Sequence, residues 1–373
     1  MKQLLLVCLV GCLISGEGVG ATVEWNLKSK YGGMTQGAIA RAIADAKAHF
    51  AKDPDDTVVI QFDAGTYYLS APSGDSRGIF ELSGVKPGAK GRLVFRGAGM
   101  DATTLVFDPA KDQIYGRGVY RVSFIGFHMT RKDYCVSQGH VAGVGPGWVD
   151  LEIQSGFPTP QDIYEANYMP SNPDTKRGRF LRRFTDSKTD PQIVVDDNQQ
   201  YAWADAELVS GRRWRMNLVR RTVVPNYKVG DLIGIKSKHG GQTYWLSGGS
   251  DFVFEDIKWT QVSRGVFRNG FDKIRITRCV VERSRAIEGQ VPCLSTTDGG
   301  PQIGQPNDAV CSGIVEDCRM TGTGDDAVAF HHATGVVRNC KIADSFARGI
   351  LLNNSPTVAL ENNTLVRCPV LKR

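Results

Sequence analysis

The chain has 373 residues, of which 41% are hydrophobic and 23% charged, with a formal net charge of +6. That is enough apolar material for a large core, arranged as one elongated domain or two smaller ones. The modest positive balance is compatible with an acidic substrate, and with no helical or finger motif beside it, it argues against a nucleic-acid partner.

The chain opens on Met1-Lys-Gln-Leu-Leu-Leu-Val-Cys-Leu-Val-Gly-Cys-Leu-Ile-Ser15, a basic start followed by an apolar run, and Val19-Gly-Ala21 supplies small residues for cleavage after Ala21. Residues 1–21 therefore read as a signal peptide of a secreted or periplasmic protein. Leu9-Val-Gly-Cys12 also resembles a lipoprotein box, a minor option for anchoring through Cys12. No later stretch is apolar enough to span a bilayer.

Residues 22–144 read as a cap and the first rungs of a solenoid. Over residues 35–51, Ile39, Ile43 and Phe50 fall on one face of an Ala-rich amphipathic helix. It precedes the strand-like segments Val58–Leu69, Arg92–Arg96, Thr104–Phe107 and Val122–Met129 and is placed to cap the open end. Between residues 145 and 246 the rhythm is lost. Short strands such as Pro191–Val195, Ala206–Ser210, Arg213–Val219 and Val229–Ile235 predict a small inserted antiparallel β-barrel. Two basic runs, Lys176–Arg183 and Arg212–Arg221, read first as charged strand faces in solvent. Alternatively they form a lip that grips sulfated or uronic sugars, with Trp214 stacking on a ring.

From residue 247 to 373 the chain repeats itself. The segments starting at Phe254, Ile276, Val315, Val337 and Leu360 are 22, 39, 22 and 23 residues apart. The long interval is one period plus a loop of about 17 residues. Strands at so steady a period predict an all-β fold, a right-handed parallel β-helix whose rungs stack about 4.8 Å apart. Ile257, Cys279, Cys318, Cys340 and Asn363 then form one inward column of small, buried side chains. Cys293 and Cys311 flank the long loop, and an exported protein could join them as a disulfide. No cap follows the last rung, which suggests a truncated chain or a partner covering that end.

A second alignment places Ser263-Arg264, Ser284-Arg285, Asp325-Asp326 and Ala347-Arg348 in register. Asp326 would sit between Arg285 and Arg348 and be held ionised, with Asp325 less directly affected. Asp at rung turns is commonly structural, because it bonds its own backbone. Beside His331, the paired acids point instead to general acid/base chemistry.

A signal peptide, a capping helix, a β-helix broken by a barrel and a late Asp325-Asp326 followed by His331 resemble the pectin-lyase-like carbohydrate-active enzymes. In outline the chain is most similar to the β-helical α-1,3-galactosidases, with the motif likeness confined to about residues 298–335. His332 departs from that pattern, which has Gly there. The resemblance implies an inverting glycoside hydrolase on α-linked galactose-type glycans, needing no cofactor. The paired aspartates would handle the water, Asp298 or else Asp308 would be the acid, and His331 would hold a hydroxyl. One alternative is a polysaccharide lyase with calcium on Asp325, Asp326 and Glu316 and with Arg285 or Arg348 as base. Another is a surface β-helix that binds glycans without turnover.

Overall fold

The computed structural model describes residues 20–372 apart from 34, 71–76, 109–111, 133, 135, 166–178, 196–199, 237–241, 263 and 369. The expected signal-peptide core and Cys12 lie outside the described residues, as do Lys176 and Arg177. Among the described residues no helix is long and apolar enough to cross a membrane.

The chain winds as a right-handed parallel β-helix with three sheet faces. On the first face Phe124, Phe254, Ile276, Val315, Val337 and Leu360 pair in succession, the register expected from the repeat. The second face carries Trp259, Val281, Met320, Ile342 and Leu365. The third carries Val266, Gln302, Ala329 and Leu351.

The corner from the first face to the second is made by Asp256, Arg278, Asp317, Asn339 and Asn362, all left-handed with φ between 50° and 55°. A short side chain that bonds locally tolerates this conformation best, which suits Asp and Asn. The next residue points inward and builds the predicted thiol column. Cys279, Cys318 and Cys340 each donate to a carbonyl of the preceding rung, on Phe254, Ile276 and Val315. Asn363 makes the equivalent bond to Val337 O at 2.8 Å. Towards the N-terminal end the interior is aromatic, with Phe95 stacked on Phe124 at 4.6 Å. Each such pair contributes about 0.5–1.5 kcal/mol beyond burial.

The expected Cys293–Cys311 disulfide is not formed, and both thiols are free. Cys293 packs with Phe184, Leu232 and Phe346 under the barrel, while Cys311 belongs to the solenoid core. The long loop carries the two sulfurs into different clusters.

The predicted helix is present as Gln36–Phe50, with the Thr35 hydroxyl accepting from Ala38 N. It buries Ile39, Ile43 and Phe50 in the solenoid core, at about 1.5–3 kcal/mol per large side chain.

The barrel is closed by six strands, Ser137–Gly145, Trp148–Ile153, Phe180–Phe184, Tyr201–Ser210, Arg213–Leu218 and Leu232–Lys236. The chain leaves the solenoid after Arg131 and re-enters at Tyr244, so the insertion sits at the corner between the second and third faces. Trp214 is no sugar platform: it is 6% exposed inside the barrel core, beside Leu151 and Met216. The strand alternates, sending Trp214 inward and its neighbours outward. Arg213 and Arg215 clamp the buried Asp150 at 3.0 and 2.8 Å. Arg212 donates to the carbonyls of Ile153, Gln154 and Phe157. These arginines hold the barrel together and do not form a lip.

A polar clip fastens barrel to solenoid. Asp344, 1% exposed, accepts two bonds from Arg367 at 2.5 and 2.7 Å and one from Ile193 N at 2.9 Å, with Arg283 at 3.6 Å. Arg283 in turn donates to Pro191 O and Cys293 O. Removing one partner strands buried charge, so Asp344→Ala is expected to destabilise the protein by about 3–5 kcal/mol, read from the denaturant-unfolding midpoint.

Candidate active site

The acids gather at the corner where the barrel is inserted. Asp298 and Asp325 each stand four residues ahead of a paired position on the third face, Gln302 and Ala329. They therefore occupy the same place on neighbouring rungs. Their turns are held by stacked hydroxyls. Thr296 and Thr323 each donate to the carbonyl two residues on, that of Asp298 and of Asp325, and Ser345 adds a bond to Asp325 O at 2.7 Å. A side chain at Gly299 would meet Asp326 O at 2.4 Å, so the Asp298-Gly-Gly turn packs backbone to backbone beneath the paired acids.

Lys236, the last residue of barrel strand Leu232–Lys236, reaches into this corner and is 2% exposed. Its Nζ lies 3.0 Å from Asp325 Oδ2 and 3.9 Å from Asp298 Oδ1. Arg264 Nη2 is 3.5 Å from Asp298 Oδ2. Arg348 binds both oxygens of Asp326, with Nη2 2.9 Å from Oδ2, and stands 3.9 Å from Asp325. Asp298 Oδ1 is buried and has no hydrogen-bond partner among the described residues.

These surroundings drive the neighbouring acids apart. Burial pushes the Asp325 carboxyl up, but the Lys236 ammonium, the contact with the Asp298 side chain and the Arg264 charge outweigh it and hold the group well below the usual carboxylate range. For Asp326 burial also raises the value, Arg348 opposes, and the Asp325 charge adds to the rise, leaving it at about 6. His331 is brought down to about 4 by burial and then by Arg264 and Arg348, so its ring is neutral near pH 7. Asn353 Nδ2 lies 3.1 Å from His331 Nδ1. With that amide donating, the ring proton sits on Nε2 as a hydrogen-bond donor.

The structure brings together Asp298, Asp325, Asp326, Arg264, Arg348 and His331, and leaves out Arg285 and Trp214. The expected alignment slips at two places. The third-face strand next to Ala329 begins at Pro301, so the long loop carries Ser284-Arg285 off the corner and Arg285 is exposed. Arg264 stands two residues before Val266, whereas Asp326 stands three before Ala329, so Arg264 meets Asp298. Ser263 lies outside the described residues. Asp308, the second candidate acid, is bound by Arg268 at 2.9 and 3.1 Å, which holds it below its ordinary value. Glu316 sits on the first face with Arg338, Thr277 and Arg275. It cannot join Asp325 and Asp326 in the calcium set proposed for a lyase. Sequence reasoning missed Lys236 altogether. Its strand, Leu-Ile-Gly-Ile-Lys236, signals a buried barrel strand, and only the fold shows where that strand ends.

No protein-family model and no curated protein matches the chain. Similar solved structures are parallel β-helix carbohydrate-active enzymes. One is the catalytic unit of a GH87 α-1,3-glucanase from Streptomyces thermodiastaticus, 15% identical with a TM-score of 0.41; the match covers 96% of this chain and 49% of that one. The chain thus spans about half of that unit. Another is an alginate lyase from Paenibacillus, 10% identical with a TM-score of 0.37, covering 94% of this chain and 99% of that one. A pectin methylesterase from Erwinia chrysanthemi is 11% identical with a TM-score of 0.34, over 89% of this chain and 69% of that one.

Proposed function

We propose that the chain is an exported glycoside hydrolase acting on α-linked galactose-type glycans with inversion. The observation that carries the hydrolase reading is the split pair, Asp325 held ionised by Lys236 and Asp326 raised to about 6, one rung from Asp298. Two carboxyl groups in opposite protonation states are what hydrolysis by acid and base requires. The galactose specificity and the inversion come from the motif resemblance.

In this mechanism Asp325, aided by Asp298, takes a proton from water as its oxygen attacks the anomeric carbon. The glycosidic C–O bond breaks, and Asp326 gives its proton to the leaving oxygen. The roles are exchanged relative to the expectation from sequence, because the charge that ionises Asp325 comes from the barrel. Asp298 becomes a partner of the base, and its free Oδ1 can hold the water. Arg264, Arg348 and neutral His331 are placed to bind sugar hydroxyls, and Arg348 also tempers the acid.

The test is product release from α-galactosides, galactans and uronic polymers. A hydrolase yields reducing ends without ultraviolet absorbance, and chelator has no effect. An unsaturated, absorbing product would replace this reading with the lyase. Binding without turnover by folded protein would replace it with a glycan-binding β-helix.

A further inference from the structure

The outer side of the third face carries a feature that the acid corner does not use. Trp245 lies over Tyr115 with ring centroids 5.2 Å apart and planes within 13°. Three guanidinium groups surround this stack. Arg77 is 4.8 Å from the Tyr115 centroid and 5.5 Å from that of Trp245, while Arg117 and Arg268 are 5.7 and 5.6 Å from Trp245. Arg268 is spoken for by Asp308. Arg77 and Arg117 are exposed, and among the described residues neither has a carboxylate within ion-pair distance. Arg77 feels the half-buried Asp112 only as a more distant charge.

The position of this stack relative to the acids follows from the register. Trp245 pairs with Val266, Val266 with Gln302, and Gln302 with Ala329, so the indole lies two rungs from the Asp298 turn and three from the Asp325 turn, with Tyr115 one rung farther. At about 4.8 Å per rung that is roughly 10–14 Å along the solenoid axis, to which the four residues between this column and the acids add an offset across the face of up to about 13 Å, within the span of an oligosaccharide of several units. The residues between follow the same line. Ser247 pairs with Arg117 and Arg268, and Arg268 and His331 each follow the paired column Phe267, Ile303, Phe330. Gly304, the residue that follows Ile303, leaves that column without a side chain between Arg268 and His331.

We propose that Tyr115, Trp245, Arg77 and Arg117 form a distal subsite for an anionic sugar unit, sulfated or uronic, of the glycan whose other end reaches the acids. This rests on the hydrolase reading for its direction but not for its chemistry. The indole supplies a face for the apolar side of a pyranose ring. The guanidinium groups of Arg77, which also donates to Tyr115 Oη at 3.5 Å, and of Arg117, neither in an ion pair among the described residues, supply forked donors for sulfate or carboxylate. Asp308 anchors Arg268 under the indole, which gives that acid a place outside the catalytic corner.

The experiment is binding of full-length protein to three probes of equal length, a sulfated galactan oligosaccharide, an oligogalacturonide and a neutral galactan oligosaccharide. It is followed by calorimetry and tryptophan fluorescence. At least one charged probe is expected to bind about tenfold more tightly than the neutral one, with affinity falling as salt rises. The Arg77→Ala/Arg117→Ala variant should lose that advantage, and Trp245→Phe should lose the fluorescence change. The better charged probe tells sulfate from carboxylate. Equal binding of charged and neutral probes, or binding unchanged in the double arginine variant, overturns the proposal. Turnover by the wild type separates the two readings. Wild-type protein that releases no reducing ends but keeps the charge preference, and loses it in the double arginine variant, loses the hydrolase reading and retains the subsite; wild-type hydrolysis without a charge preference does the reverse.

Discussion

Replacing Lys236 with methionine is expected to lower kcat/KM on the best glycan substrate by about 10²–10³-fold while leaving the protein folded. The ammonium is the closest cation to Asp325 and it is buried, so little solvent screens it. Methionine has a similar length and keeps apolar contact near Phe180 and Phe346, whose ring centroids lie 5.8 Å from Nζ. Without the charge, burial dominates at Asp325 and its carboxyl rises. The base must be ionised, so the acidic limb of the pH–rate profile moves to higher pH. The variant then loses proportionally more activity at low pH than at pH 6. A drop in rate with an unmoved acidic limb would mean that Lys236 acts on substrate and not through Asp325.

The second large effect concerns Asp326. As the proposed proton donor, with its carboxyl raised to about 6, it must be protonated to act. Activity should therefore be greatest on the acid side of neutrality and fall tenfold per pH unit above about pH 6. Asp326→Asn removes the donor and should cost about 10²–10⁴-fold on a natural glycan, with the basic limb gone. An aryl glycoside whose leaving group needs no proton should lose much less. Equal losses on the two substrates would assign Asp326 to binding, through its bidentate pair with Arg348.

The parts of the molecule that were legible in the sequence are those with local periodicity. The rung column from Phe254 to Leu360 could be counted, and its inward cysteines followed. Asp325, Asp326 and Arg348 fall in uninterrupted rungs, so their juxtaposition could be read from spacing, and Asp298 came from the resemblance. Arg285 failed because the loop between Val281 and Pro301 precedes the third-face strand, which moves the corner 14 residues down the chain, from Ser284-Arg285 to Asp298-Gly299. Lys236 could not be reached by periodicity, since the barrel crosses to the acids through tertiary docking. Trp214 was legible in hindsight: Arg213-Trp214-Arg215 alternates polar and apolar, the pattern of a strand with its indole inside.

The clip around Asp344 and the Lys236 contact meet on the same solenoid corner. Phe346 O, two residues past Asp344, accepts from Arg182 and from Gln200 Nε2. The barrel is therefore fixed to the rung that follows Asp325-Asp326, which sets Lys236 against Asp325. A solenoid supplies acids in columns, and the insertion supplies the charge that makes two of them unlike.

The most direct test of this account is the hydrolysis rate of Asp325→Asn against wild type on the best substrate of the glycan panel, with unfolding midpoints measured alongside. The account predicts reducing-end release lowered by at least about 10³-fold in a protein that unfolds cooperatively near the wild-type midpoint. Release at the wild-type rate from folded Asp325→Asn would place the chemistry elsewhere and contradict it.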